Sequence, residues 1–244
     1  MTREENALQS APAPTDAGQA SQPSLALLRG ILLTQHPGRA AVVSSFGVES
    51  AVLLHLVAAV SPATPVILLD TGHLFPETLA HRDALAARLG LLDVRTTRPD
   101  RAALGAGDPD GTLWRDAPEQ CCWHRKVEPL DDALQGFDAW ITGRKRFQGG
   151  ERGDLPMLER EPGGRVKVNP LAGWQPADIA GYQALHALPA HPLQSRGYRS
   201  VGCAPCTRAT LPGEASRAGR WAGQARTECG IHLSRPAAMA GARS

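Results

Sequence analysis

The feature that most restricts the fold of this chain is an alternation of two periodicities. Short apolar runs rich in β-branched residues, Ala40-Ala41-Val42-Val43 and Val66-Ile67-Leu68-Leu69, are each followed by a longer helical pattern, from about Glu49 to Ala59 and from Pro76 to Leu89. Pro76-Glu77 and Gly90 supply start and stop signals for the second helix. A helix around Ser24 to Thr34 precedes these units, and strands at Leu92 to Thr96 and Ala139 to Thr142 flank a helix from about His124 to Leu134. Strands alternating with helices predict an α/β fold, an open, mostly parallel sheet with helices on both faces. Ligands in such sheets bind beyond the C-terminal ends of the strands.

Residues 1–22 are rich in Ala, Pro, Ser and Gln without apolar periodicity, so they are expected to form a disordered N-terminal tail. The remainder reads as a single α/β domain over 23–215 and a C-terminal segment over 216–244. From Gly149 to Pro170 the chain is punctuated by Gly and Pro, and an amphipathic helix is expected from Pro176 to Leu188. With 26 basic and 24 acidic residues the formal charge is only +2, which argues against nucleic acid or membrane binding through a global field. No basic start followed by an apolar run is present, and no stretch approaches the roughly 18 apolar residues of a membrane span, so a cytoplasmic protein is expected.

Two turns are candidates for nucleotide contact. Ser44-Ser45-Phe46-Gly47 joins the first strand to its helix, where hydroxyls and free backbone N–H groups suit an anion; an ordinary capped turn uses the same residue types. Asp70 and Thr71, after the second strand, suit a nucleoside hydroxyl or base, or simply close a turn. A Walker-type Gly-Lys-Ser/Thr is missing, which disfavours a P-loop ATPase.

The chain has 5 cysteines, an odd number that structural disulfides in a reducing compartment explain poorly. Cys121-Cys122 are adjacent, and Cys203-Ala204-Pro205-Cys206 lies far downstream. Two pairs make the thiolate set of a 4Fe-4S cluster. Zinc is a rival, although its cysteine pairs usually carry roughly two to four spacer residues. A thioredoxin-like dithiol at Cys203 and Cys206 is another. Cys229 stands alone in Thr227-Glu228-Cys229-Gly230-Ile231-His232, as a reactive thiol or an inert surface one.

These residues together resemble the assimilatory adenylyl-sulfate and phosphoadenylyl-sulfate reductases of the adenine nucleotide α-hydrolase-like group. The resemblance runs from about Leu25 to Leu233. It rests on Ser44-Ser45-Phe46-Gly47, Leu69-Asp70-Thr71-Gly72, Cys121-Cys122-x-x-Arg125-Lys126-Val127-Glu128-Pro129-Leu130, Thr142-Gly143, Lys167-Val168-Asn169-Pro170-Leu171, Gly197-Tyr198-x-Ser200-Val201-Gly202-Cys203-x-Pro205-Cys206-Thr207-Arg208 and Glu228-Cys229-Gly230-Ile231-His232. It implies that Cys121, Cys122, Cys203 and Cys206 ligate a 4Fe-4S cluster within a sulfonucleotide-binding domain and that Cys229 is the nucleophile.

The same resemblance implies attack of the Cys229 thiolate on the sulfur of adenylyl sulfate, loss of AMP, and release of sulfite by thioredoxin or glutaredoxin. Family members with paired cysteines mostly use adenylyl sulfate, and the 3′-phosphorylated nucleotide is the alternative substrate. A metal-stabilised nucleotide-binding redox module, in which Cys229 is irrelevant, is the reading from another class. Lys126, Lys145, Arg146, Arg208 and Arg220 are the cations expected to meet the phosphosulfate. Arg144-Lys145-Arg146-Phe147-Gln148 departs from the family pattern, where an acid occupies the place of Phe147, so the resemblance does not say which base makes the contact. No thioredoxin-like domain is read after Cys229, so electrons are expected from a separate protein. A mobile C-terminal flap and a homo-oligomer are also expected. His232 follows the nucleophile closely, and the tryptophans, Trp221 included, are read as packing groups.

Overall fold

The computed structural model describes residues 17–223, 226 and 228–232. Its centre is a six-stranded sheet in the order β3-β2-β1-β4-β6-β5, formed by β1 (Ala40–Val43), β2 (Val66–Leu69), β3 (Val94–Thr97), β4 (Ala139–Ile141), β5 (Leu158–Arg160) and β6 (Val166–Val168). All pairings are parallel except β5 on β6. The expected strands are therefore present. The β5/β6 pair was hidden in the Gly- and Pro-rich stretch, where three-residue strands leave too short an alternation to read.

Helices cover both faces. One face packs Val42, Leu68 and Ile141 against α1 (Ala17–Arg29), α2 (Ser50–Val60), α3 (Pro76–Leu89) and α8 (Pro176–Leu185), building the main core. The opposite face packs Ala41, Ile67 and Trp140 against Leu130 and Leu134, with Ile231 against them. Alternate strand residues thus feed opposite layers, as the pleat requires. The start and stop signals of α3 operate as read: Pro76 opens it, and Gly90, left-handed at φ 64°, closes it.

Three differences from the expected pattern have physical causes. Helix α1 starts at Ala17, so residues 17–22 are helical rather than tail, and only residues 1–16 of that tail fall outside the described residues. Packing overrides weak periodicity here: Ser21 is buried, Ala20 and Leu25 pack on the core, and Ser24 Oγ donates to the Pro170 carbonyl at 2.6 Å while accepting from Trp174 Nε1 at 2.9 Å. The helix expected near His124 begins instead at Pro118, as α6 (Pro118–Cys122), a π turn (Trp123–Val127) and α7 (Glu128–Ala133), following α4 (Arg101–Gly107) and α5 (Leu113–Asp116). Pro129 has no N–H for the Arg125 carbonyl, and the helix widens just before it. The helix expected to Leu188 stops at Leu185.

Strand order reverses between β1 and β4. Chain connections leave β1 toward β2 on one side, while β4 and β6 lie on the other, so a crevice opens beyond the C-terminal ends of β1 and β4. Among the described residues no helix is long and apolar enough to cross a membrane.

Candidate functional site

That crevice is a cleft of about 200 Å³. After β1, Ser44 Oγ accepts the Phe46 N–H at 3.1 Å, and the backbone turns left-handed at Phe46, φ 48°. Such a conformation costs a bulky residue about 1–2 kcal/mol, and complete burial of the Phe46 ring in the main core offsets it. Ser44, Ser45 and Gly47 line the cleft; the Phe46 side chain does not. The ring anchors the turn from beneath.

After β2, Asp70 takes the turn-closing alternative in this structure. Its carboxylate accepts the Gly72 N–H at 3.1 Å and Arg98 Nε at 3.0 Å, closing the turn away from the cleft. Thr71 does line it, with Oγ1 3.3 Å from Cys203 Sγ. The buried Arg125 pairs with Asp108 at 2.7 Å and donates to the Thr71 carbonyl at 2.8 Å, tying the cysteine-bearing helix to this turn.

After β4 the chain enters a charged network. Lys145, 2% exposed, meets Glu49 at 2.8 Å, and Gln148 Nε2 donates to the same carboxylate oxygen at 2.9 Å. Burial lowers the Lys145 pKa, and Glu49 opposes that shift. Arg144 pairs with Glu159 of β5. Arg152 forks onto Glu228, Nη2 to Oε1 being 2.7 Å, and Arg217 Nη2 lies 3.7 Å from the same oxygen. Arg146 points elsewhere, donating from Nε to the Leu155 carbonyl at 2.8 Å. Arg208 forks onto Glu214 at the surface with both contacts at 2.8 Å. Neither lines the cleft.

Cys121, Cys122, Cys203 and Cys206 face one smaller cavity that also reaches Thr71, His73 and Lys126. The downstream pair is carried there by a bridge between Leu74 and Cys203 and by the Ala204 N–H, which donates to the His73 carbonyl at 2.7 Å. All four thiols are free. Burial pushes Cys121 up to about 11 and raises Cys206, so ionising these thiols calls for a cationic partner. Among the described residues no three His, Cys, Asp or Glu side chains converge closely enough to hold a single ion. Four thiols lining one cavity are a set that could hold a metal ion or a cluster.

The two cavities share a wall. Lys126, on the π turn, lines both, and its Nζ lies 3.5 Å from Cys229 Sγ. A hydrogen bond from the Cys122 thiol, aided by the Lys126 ammonium and the Ile231 N–H, holds the Cys229 thiol well below its usual range despite burial. The stretch Glu228–His232 is pinned on both sides of Cys229. Glu228 Oε1 accepts the Cys229 N–H at 2.8 Å within the Arg152 fork, and the His232 ring stacks on Trp140 with centroids 5.9 Å apart. Lys167 Nζ sits 4.8 Å from the Trp140 ring and is pushed down to about 8, by burial first and by Arg144 next. Burial, with Lys167 nearby, likewise keeps His232 neutral.

Of the substrate contacts expected from sequence, Ser44, Ser45, Gly47, Thr71, Lys126, Lys145 and Arg220 line the cleft with Cys229. Sequence reasoning passed over Arg144, Arg152, Arg217, Glu49 and Glu228. Two of these had a local signal: Arg217 precedes Arg220 by one helical-turn spacing, and Glu228 adjoins the nucleophile.

Residues 39–209 match the phosphoadenosine phosphosulfate reductase domain. An adenosine 5′-phosphosulfate reductase of Mesorhizobium japonicum is 53% identical over 194 residues, spanning 80% of this chain and 76% of that protein. One from Deinococcus radiodurans is 41% identical over 240 residues, spanning 95% of this chain and 91% of its own. Among solved structures, the phosphate complex of phosphoadenylyl-sulfate reductase from Candida auris superposes with a TM-score of 0.64 at 25% identity, covering 77% of this chain and 91% of that one.

Proposed function

Because the chain belongs to the phosphoadenosine phosphosulfate reductase family, we propose that it is an assimilatory adenylyl-sulfate reductase with Cys229 as its nucleophile. The observation that carries this reading is the position of Cys229 Sγ, 3.5 Å from Lys126 Nζ where the cleft meets the four-cysteine cavity.

In the proposed reaction the Cys229 thiolate attacks the sulfur of adenylyl sulfate. A sulfur–sulfur bond forms, the sulfur–oxygen bond to phosphate breaks, and AMP departs with the electron pair. A dithiol carrier, thioredoxin or glutaredoxin, then attacks Cys229 Sγ and expels sulfite; its second thiol resolves the mixed disulfide and regenerates the Cys229 thiol. The transfer step moves negative charge onto the leaving phosphate, where preorganised cations are worth about 3–4 kcal/mol each. Lys126 and Arg220 line the cleft near the thiol and suit this role. Ser44, Ser45 and Gly47, at the start of α2, suit the nucleotide's own phosphate.

Cys121, Cys122, Cys203 and Cys206 are the residues that would hold a 4Fe-4S cluster. When bound, such a cluster would supply a rigid charged body that staples the helix of Cys121 and Cys122 to the loop of Cys203 and Cys206. A Cys122 thiolate committed to iron has no proton to give Cys229, so Lys126 and the Ile231 N–H then carry the stabilisation of the nucleophile. The paired cysteines favour adenylyl sulfate over its 3′-phosphate. A cytoplasmic location, a homo-oligomer and a C-terminal flap over 216–244 complete the proposal; residues 224–225, 227 and 233–244 of that flap lie outside the described residues.

The test is intact-mass analysis after incubation with adenylyl sulfate and no reductant, coupled to iron and zinc determination. A sulfonate adduct on Cys229 with stoichiometric AMP, lost in Cys229→Ser, is expected. Sulfite production retained by Cys229→Ser overturns the mechanism, and iron-free, fully active protein overturns the cluster.

A further inference from the structure

Several cations line the cleft, and they are not held alike. Lys145 faces Glu49 and Arg152 faces Glu228, so each has a counter-charge inside the protein. Arg220 has a different environment. Its guanidinium carbon lies 4.5 Å from the Trp221 ring centroid, and its Nη1 donates to the Val201 carbonyl at 3.2 Å. A Cβ on Gly202 would come within 2.2 Å of its Nη2 and 2.4 Å of its Cζ. The guanidinium is thus boxed by an indole, a carbonyl and the bare backbone of a glycine. Among the described residues no carboxylate lies within ion-pair distance of it.

Trp221 is built for this task in two further respects. It gathers Arg217 at 5.4 Å and Arg226 at 5.9 Å as well as Arg220. It also holds a left-handed backbone, φ 50°, at 4% exposure, a conformation that persists for a bulky residue only where the surroundings impose it. Its backbone N–H donates to the Cys206 carbonyl at 2.9 Å, which ties the residue to the cysteine loop. A π face attracts a cation through its quadrupole yet carries no net charge. An arginine oriented by an indole therefore keeps its full field for an incoming anion, whereas one oriented by a carboxylate does not.

We propose that Trp221, with Gly202, is a positioning residue for the anionic end of the substrate: it holds Arg220 in a fixed orientation with no carboxylate paired to it. This revises the sequence-based view of Trp221 as a packing group, and it rests on the reading that the cleft takes adenylyl sulfate. A carboxylate in place of the indole would hold the guanidinium as firmly but would compete with the substrate.

The test uses the full chain as purified, with its tryptophans replaced biosynthetically by analogues carrying one and then two ring fluorines. Fluorine withdraws π density with little change of shape, so a packing role is left intact while a cation–π role is weakened. Because all 5 tryptophans are replaced, the same series in Trp221→Phe is the control. Binding of adenosine, AMP and adenylyl sulfate is measured, together with single-turnover sulfonation of Cys229.

Each fluorine is expected to weaken AMP and adenylyl sulfate roughly twofold, consistent with an exposed-to-desolvated cation–π pair, and to leave adenosine unchanged. Trp221→Phe fluorinated in the same way shows no further loss, and Gly202→Ala, which must push the guanidinium aside, reproduces the selective weakening. Fluorination that is silent toward both nucleotides, or that weakens adenosine equally, overturns the inference alone. A non-fluorinated protein that binds no adenylyl sulfate overturns the functional reading and this inference with it.

Discussion

Glu228→Gln is the perturbation that most directly probes how the nucleophile is held. The Glu228 side chain is 5% exposed and uses both oxygens. Oε2 faces Arg152 Nε, while Oε1 receives Arg152 Nη2 at 2.7 Å and the Cys229 N–H at 2.8 Å, with Arg217 at 3.7 Å. At an effective dielectric of about 20, a contact of this length is worth roughly 6 kcal/mol of gross attraction, most of it offset by desolvation. Removing one partner of such a buried pair costs about 3–5 kcal/mol. An isosteric amide keeps one acceptor oxygen, so the lower figure applies. A loss of about 3 kcal/mol in docking Cys229 is roughly a hundredfold in the docked population. Single-turnover sulfonation, followed by rapid quench and intact mass, is therefore expected to slow ten- to a hundredfold. AMP affinity should hold or increase, because Arg152 and Arg217 lose a competing anion. Arg152→Gln should be non-additive with it. A variant that sulfonates within about threefold of the parent, or that loses AMP affinity in step with its rate, refutes the clamp.

Lys126→Ala removes the cation beside Cys229 Sγ and is expected to lower the sulfonation rate about 10²- to 10³-fold, whereas Arg208→Ala, which frees only the surface Glu214, should stay within about threefold; equal losses in the two would contradict the division of roles drawn from the cleft. Stability should also fall in mild acid. His81, buried against His191 on α3, is pushed down to about 4, by burial first and His191 second, so it is neutral in the folded protein. Below about pH 6.5 the unfolded chain takes up a proton that the folded one refuses until about pH 4. Stability present above that window is therefore lost as pH falls through it, by about 2 kcal/mol once solvent screening is allowed for. Denaturant midpoints across pH 4–7 check this, and His81→Leu should flatten the dependence; an unchanged slope in that variant removes His81 as the cause.

How much was legible depended on whether the signal was local. The fully apolar runs at Ala40–Val43 and Val66–Leu69, with Pro76 and Gly90 bracketing a helix, carried the β/α alternation because burial on both faces leaves a periodicity that any chain of this class must write into its sequence. The grouping of the paired cysteines was legible for a related reason: their spacing is visible in the sequence, and the fold brings all four thiols to one cavity. Strands β5 and β6 were not, since three-residue strands are held by partners rather than by pattern, and α1 gained its first turns from the core it covers.

Charge assignments were the least legible part of the site. Every basic residue near the nucleotide turns was an equal candidate until the fold paired some and spared others. Arg208 met Glu214, Arg146 met a carbonyl of its own loop, and Lys145 met Glu49, while Arg220 came to rest on an indole beside a glycine. Residue type and order alone determined the architecture and the end of the sheet at which the cleft opens. Which cations keep their charge for a ligand was decided only in three dimensions, because a counter-ion or an aromatic face acts over a few ångströms, and the chain brings those partners together from positions far apart in sequence.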